Sequence, residues 1–333
     1  MPIPFILGGI ALAAGAYGAK KGYDAKTNFD EAKKINDKAQ KIYDTAKEKL
    51  EIHRDITNKH LEILGELKFN IYDTTLSNFV NTFSKIKNVD FQNNLQFGIL
   101  SNVNEQDILD IKNSVIEMKD IVGGGIAALG SGALAGLGAL GGVSMLATAS
   151  TGTAIATLSG AAATNATLAW LGGGSLAAGG FGMAGGMAVL GGIVAGPVLA
   201  VGGLVAASKA EEAKYTAYEN YDKAVAAAEQ MKSAIIVLNG IYRRTDEMID
   251  VLEKLNNIFK DYLIQLEKIV VKSNNYNDYS QKEKEVVMIS ASLAQTIKNI
   301  CDTPIIDENG EVTKKSKEVL EKSKEIVYKL QGI

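Results

Sequence analysis

The side chains best suited to catalysis or metal binding are few and poorly spaced. The chain carries two histidines, His53 and His60, and one cysteine, Cys301. Seven residues of helix would separate the histidines by about 10 Å, too far to share one metal from a single straight helix. The usual local metal pair is four apart. Two readings stay open for them: polar seam residues paired to a neighbouring helix, or imidazoles that charge near pH ~6 as a switch. No serine sits in a nucleophile elbow. Gly202-Gly203 ahead of Ser208-Lys209 lacks the glycine directly before the lysine, and the strand, that a phosphate loop requires. Gly180-Phe181-Gly182-Met183-Ala184-Gly185 fits GxGxxG but lacks a βαβ setting. The expectation is no enzyme, no cofactor and no metal.

The informative chemistry is that of small and apolar side chains. From 121 to 208 there are 88 residues without one Asp, Glu, Lys, Arg or His, and 24 of the chain's 34 glycines lie there. A soluble domain of that length must show water a face, so an uncharged run needs another explanation. A membrane-spanning helix needs about 20 apolar residues, which leaves room for up to about four spans. Shifted by 50 residues, 121–146 matches 171–196 at 10 positions. Duplication and the ease with which Gly/Ala-rich sequence matches itself both account for this. In either case Gly124, Ala128, Gly132 and Gly136 recur every four residues, as do Gly174, Ala178, Gly182 and Gly186. Small residues at that spacing form a smooth helix face that another helix can approach closely, a glycine zipper.

The zippers are marginal spans. The nine Leu, Ile or Val of 121–146 give roughly −3 to −5 kcal/mol for insertion, before the helix penalty of glycine. The seven large aliphatic or Phe residues of 171–196 give roughly −2 to −4 kcal/mol. Such segments suit storage against the protein followed by insertion as a packed hairpin. Between them, Thr151, Thr153 and Thr157 fall on alternate positions, with Asn165 beyond. That stretch reads either as a hairpin tip or uncharged pore lining, or as a Thr/Ala helix bonding back to its own carbonyls.

Long helices must position this run. Residues 23–87 have apolar or small side chains at a seven-residue repeat, no proline, and Gly65 as the only internal glycine. They predict one helix of roughly 95 Å. Asn104 or Ser101 caps a shorter helix carrying Ile108, Ile111, Val115 and Met118. A second long helix is predicted over 209–272, with a seam through Tyr221, Ala224, Ala228, Met231, Leu238, Thr245, Leu252, Phe259 and Leu266. The matched lengths suggest an antiparallel pair with the insert at one end. A helix to about Ile300, a turn or small hairpin over 303–313, and a helix from about Thr313 to Leu330 follow.

The expected fold is all-α: an elongated antiparallel helical bundle or coiled coil with an inserted Gly/Ala-rich hydrophobic, transmembrane-competent hairpin. The expected divisions are 1–22 (an apolar segment), 23–120 (first arm), 121–208 (membrane-inserting region) and 209–333 (second arm and C-terminal helices). Residues 3–19 are uncharged and Lys20-Lys21 follow them, the reverse of a secretory signal, so no cleavable signal peptide is expected. A net charge of −3 gives no basic footprint for nucleic acid. One cysteine excludes an intramolecular disulfide.

Residues 23–87, 121–208 and 209–272 together resemble α-helical pore-forming toxins of the cytolysin A and haemolysin BL type. There, long helices form a rod and a hydrophobic hairpin becomes the membrane-entering head. The Gly/Ala run is also similar to the glycine-zipper hairpin of apolipoprotein L-like proteins and of type III secretion translocators. The resemblance is one of layout. It implies a protein that inserts, oligomerises and permeabilises, with a lipid bilayer and further copies or related helical subunits as partners. It implies a membrane location with a soluble cytoplasmic or released form. Two alternatives stand beside it: a constitutive membrane-anchored coiled-coil scaffold or tether, and a soluble helical bundle that hides its hydrophobic insert.

Overall fold

A computed structural model describes residues 19–91, 103–121, 131–140, 210–307 and 310–332. Among the described residues the protein is helical and carries no strand beyond two isolated bridges. The elements are α1 (Ala19–Asn70), a π turn (Ile71–Leu76), α2 (Ser77–Phe83), α3 (Glu105–Ile121), α4 (Ser131–Leu140), α5 (Ala210–Lys272), a 3₁₀ turn (Tyr276–Asp278), α6 (Gln281–Asp302) and α7 (Lys314–Gln331). The all-α expectation is met.

The chain divides into two compact units, cut within α1 and within α5. The first holds residues up to Asp55 and Gly191–Leu238. Its core is the seam between α1 and α5: Ala39, Tyr43 and Leu50 against Ala224, Ala227, Met231, Ala234 and Leu238. Lys214 pairs with Glu31 at 2.7 Å, and the Asn220 amide donates to Asn36 at 3.1 Å. Residue numbers rise together on both helices, so the pair is parallel.

The second unit holds Ile56–Leu190 and Asn239–Ile333. His60 packs on Tyr242 with ring centroids 4.3 Å apart, and Phe79 packs on Phe259 at 5.7 Å. The Lys87 N–H donates to the Asn274 carbonyl at 2.8 Å. Here too α1–α2 and α5 run parallel, where the sequence suggested antiparallel. The reason lies in the connection. An antiparallel pair follows only if the connection is a turn at one end, but parallel neighbours need a connection long enough to span the pair, and the sequence between Phe83 and Ala210 has that length.

Heptad patterning explains why these helices pack. In α5 every seventh residue from Ala217 through Ala224, Met231, Leu238, Thr245, Leu252, Phe259 and Leu266 is buried. Each large apolar member stabilises by about 1.5–3 kcal/mol. Thr245 satisfies its hydroxyl on the Ile241 carbonyl at 2.9 Å. The first long helix keeps a seven-residue rhythm through Leu50, Thr57, Leu64 and Ile71, then buries Phe79 and Ile86. The single step of eight spans the π turn, which accommodates one extra residue per turn. The helix thus stays continuous through Phe83 while its apolar face stays on the core.

Caps set the remaining boundaries. The Asn104 side chain accepts from the Asp107 N–H, and the Asp107 carboxylate accepts from the Asn104 N–H. Asn104 therefore starts α3, while Ser101 lies outside the described residues. Ser280 and Glu283 form a capping box at α6. The predicted turn over 303–313 closes with one antiparallel bridge, Ile306 to Val312, and Gly310 takes φ +79°.

Candidate functional site: the dock of helix α4

Apart from Ile121 at the end of α3, helix α4 is the part of the charge-free run that falls among the described residues. Its described side chains are all small or aliphatic, and Leu134, Ala135, Leu137 and Ala139 are buried in the second unit's core. It meets α1 backbone to backbone. A Cβ placed on Gly65 would lie 1.9 Å from the Leu134 carbonyl oxygen, and one on Gly138 would lie 2.0 Å from that of Leu61. Any side chain at either position would push the helices apart. Glycine is required here for close approach, not for an unusual φ.

The end of α4 is satisfied by side chain and loop. The last four carbonyls of a helix have no partner within it. Lys68 on α1 reaches in, its Nζ donating to the carbonyls of Leu137 at 3.2 Å and Gly138 at 3.1 Å. The Ile305 N–H, just beyond α6, donates to the Ala139 carbonyl at 2.7 Å. An ammonium at a helix C-terminus also meets the negative end of the helix dipole.

The cost of this arrangement is that Lys68 is 1% exposed. Burial lowers its pKa to about 8, against the opposing pull of Cys301 and Asp302. One turn further, in the π turn that continues α1, the Tyr72 hydroxyl donates to Asp302 at 2.7 Å, and burial raises its pKa well above the ordinary value. Asp302 also pairs with Lys298. Cys301 is fully buried, which pushes its thiol up to about 12. A thiol so held is not a nucleophile at neutral pH.

Gly132 and Gly136 of the predicted zipper lie on α4, and Gly136 is half-buried. The tight crossing uses Gly138 instead. Gly124, Ala128, Gly174, Ala178, Gly182 and Gly186 lie outside the described residues, as do Thr151, Thr153, Thr157 and Asn165. Sequence reasoning missed Lys68, since a lysine between apolar neighbours reads as a surface residue. The available signal was Gly65, the lone glycine between residues 23 and 87, less than a turn away.

Among the described residues no helix is long and apolar enough to cross a membrane. Among them no group of three His, Cys, Asp or Glu could hold a metal. Two of the open depressions among the described residues lie elsewhere. One of about 510 Å³ lies over Ile42, Ala46 and Val225 of the first unit, rimmed by Lys38, Lys41 and Lys49. The other, of about 470 Å³, lies between α6 and α7 beside Asp302, Lys315 and Lys322. No known protein family, curated protein or solved structure matches the chain.

Proposed function

We propose that this is a membrane-inserting protein that oligomerises and permeabilises a bilayer. Residues 121–208 enter the lipid, joined by 3–19, and the helical arms give solubility and assembly. The observation that carries the reading is the 88-residue run without a charge. Nothing in the aqueous life of a bundle needs so long an uncharged segment, whereas a bilayer excludes charge along the whole of a span. The docking of α4 supports it, because an apolar helix stored on a bundle must be held by specific contacts until it is used.

Assembly has its own support. Ile56 and Ile63, Leu109 and Ile116, and Ile264 and Val271 are exposed apolar pairs, each seven residues apart on its helix. A heptad-spaced apolar stripe is what a partner helix packs against. Further copies of this chain, or related helical subunits, are the partners proposed.

The packing of α4 into a core also favours a second reading, a soluble bundle that keeps its run permanently covered. Dye release from liposomes by protein purified without detergent separates the two. Release with a sharp size cut-off supports permeabilisation. A soluble protein indifferent to lipid at every pH rejects it in favour of the covered bundle.

A further inference from the structure

We infer that Lys68 is a latch: together with the glycine crossing it holds α4 in its dock, and α4 leaves the bundle only when this contact opens. That its opening serves membrane entry rests on the function proposed above; the docking itself does not.

Apolar contact is non-directional, so α4's aliphatic residues alone do not choose one seat on α1. Two features do. The pair Gly65 and Gly138 fits this crossing, because a Cβ at either position would meet a backbone carbonyl of the other helix at about 2 Å. The Lys68 amine then selects the end of the helix, since the Leu137 and Gly138 carbonyls are free only there. A methionine or leucine would fill the same space without that choice.

The latch is also poised. Hydrogen bonds to the carbonyls favour the closed state, while burial of an ammonium opposes it. Opening returns the amine to water and removes the burial cost, but leaves the α4 carbonyls in need of new partners. Around the latch stand Asp302, Cys301 and Lys298 of α6, Tyr72 of the π turn, and Glu117 of α3, which acts on Tyr72. None of these replaces Lys68 as a donor to α4.

Cys301 supplies the readout, being the protein's sole cysteine, 0% exposed and among the groups that act on Lys68. In the full chain, Lys68→Met and Gly65→Ala should each raise the rate of maleimide labelling at Cys301 by about tenfold or more, the scale set by losing a buried hydrogen bond. Helical circular dichroism should be retained. Unchanged labelling in both variants overturns the latch. Should the variants fail to fold, hydrogen exchange on the unmodified protein decides. The latch predicts that amides of 131–140 exchange before those of 241–266; exchange of both only by global unfolding overturns it. Faster labelling with no gain in dye release upholds the latch and removes the membrane function.

Discussion

Lys68 and Tyr72 stand one turn apart on the same helix, and each fastens it to a different element. Lys68 donates to the carbonyls that end α4, and Tyr72 donates to Asp302 at the end of α6. Ile305, three residues beyond Asp302, donates to α4 in turn. The three elements thus close a ring of polar contacts inside an apolar core. Such rings are stabilising when complete and costly when one member is lost.

The glycine crossing is the first place to test. Gly65→Ala or Gly138→Ala puts a methyl about 2 Å from a backbone oxygen. Each should destabilise by about 1–3 kcal/mol, as overpacking does where backbone must yield. The double variant should cost less than the sum, because both open the same crossing. Urea denaturation of the four proteins measures this; full additivity would mean that the two glycines are not one contact.

The pH dependence has a definite shape. Lys68 ordinarily titrates at 10.5 and is lowered by burial to about 8. Between those values the unfolded chain holds the extra proton, so stability rises with pH. Cys301 acts in reverse. Its thiol, ordinarily at 9.0, is pushed by burial up to about 12, so stability falls from pH 9 upward. Tyr72, raised by burial, adds to that fall above pH 10. Each slope is about 1.4 kcal/mol per pH unit. Stability should therefore climb by about 1 kcal/mol from pH 8 to 9, level off, and decline above 10. Lys68→Met should lose the climb, and Cys301→Ala should extend it. Denaturation midpoints across pH 7–11 check both; a climb that survives in Lys68→Met would clear Lys68 of the effect.

Much of this was legible beforehand, and what was not has identifiable causes. The long helices announce themselves because Ala217 to Leu266 repeat at seven without a proline, and the cap at Asn104 follows from its side chain. The parallel sense of α1 and α5 does not show, since a heptad seam carries no direction. The extra residue between Ile71 and Phe79 does not show either, because a π turn has no fixed residue signature. Lys68 was hidden by its charge: only the tertiary position of α4's end makes burying an amine worthwhile. Gly65 was visible, but a lone glycine does not reveal what approaches it.

The tie between Tyr72 and Asp302 should be modest alone and coupled to its neighbour. Tyr72→Phe removes one hydroxyl, and Asp302 keeps Lys298. The expected loss is about 1–2 kcal/mol. Because Asp302 also acts on Lys68, Tyr72→Phe and Lys68→Met should couple by at least about 0.5 kcal/mol in a double-mutant cycle. A coupling of zero would mean that the α4 and α6 fastenings are independent and the ring is only geometric.

The glycine zippers test the membrane step apart from the latch. At a shift of 50 residues Gly132 matches Gly182, and each lies in a series of small residues spaced four apart in the sequence. A leucine at either position adds to the apolar content that favours insertion and at the same time blocks close helix approach. The two consequences pull in opposite directions, which makes the outcome diagnostic. If lipid entry alone limits activity, Gly182→Leu should increase dye release. If packing of inserted helices against one another limits it, release should fall by an order of magnitude or more while binding to liposomes is kept. If 171–196 inserts as proposed, the second result is expected, because its weak hydrophobicity gives roughly −2 to −4 kcal/mol and close packing would have to hold the inserted helices. Liposome co-sedimentation beside dye release, with circular dichroism as the control for the arms, distinguishes the cases. Unchanged release in Gly132→Leu and Gly182→Leu would remove the zipper from the mechanism.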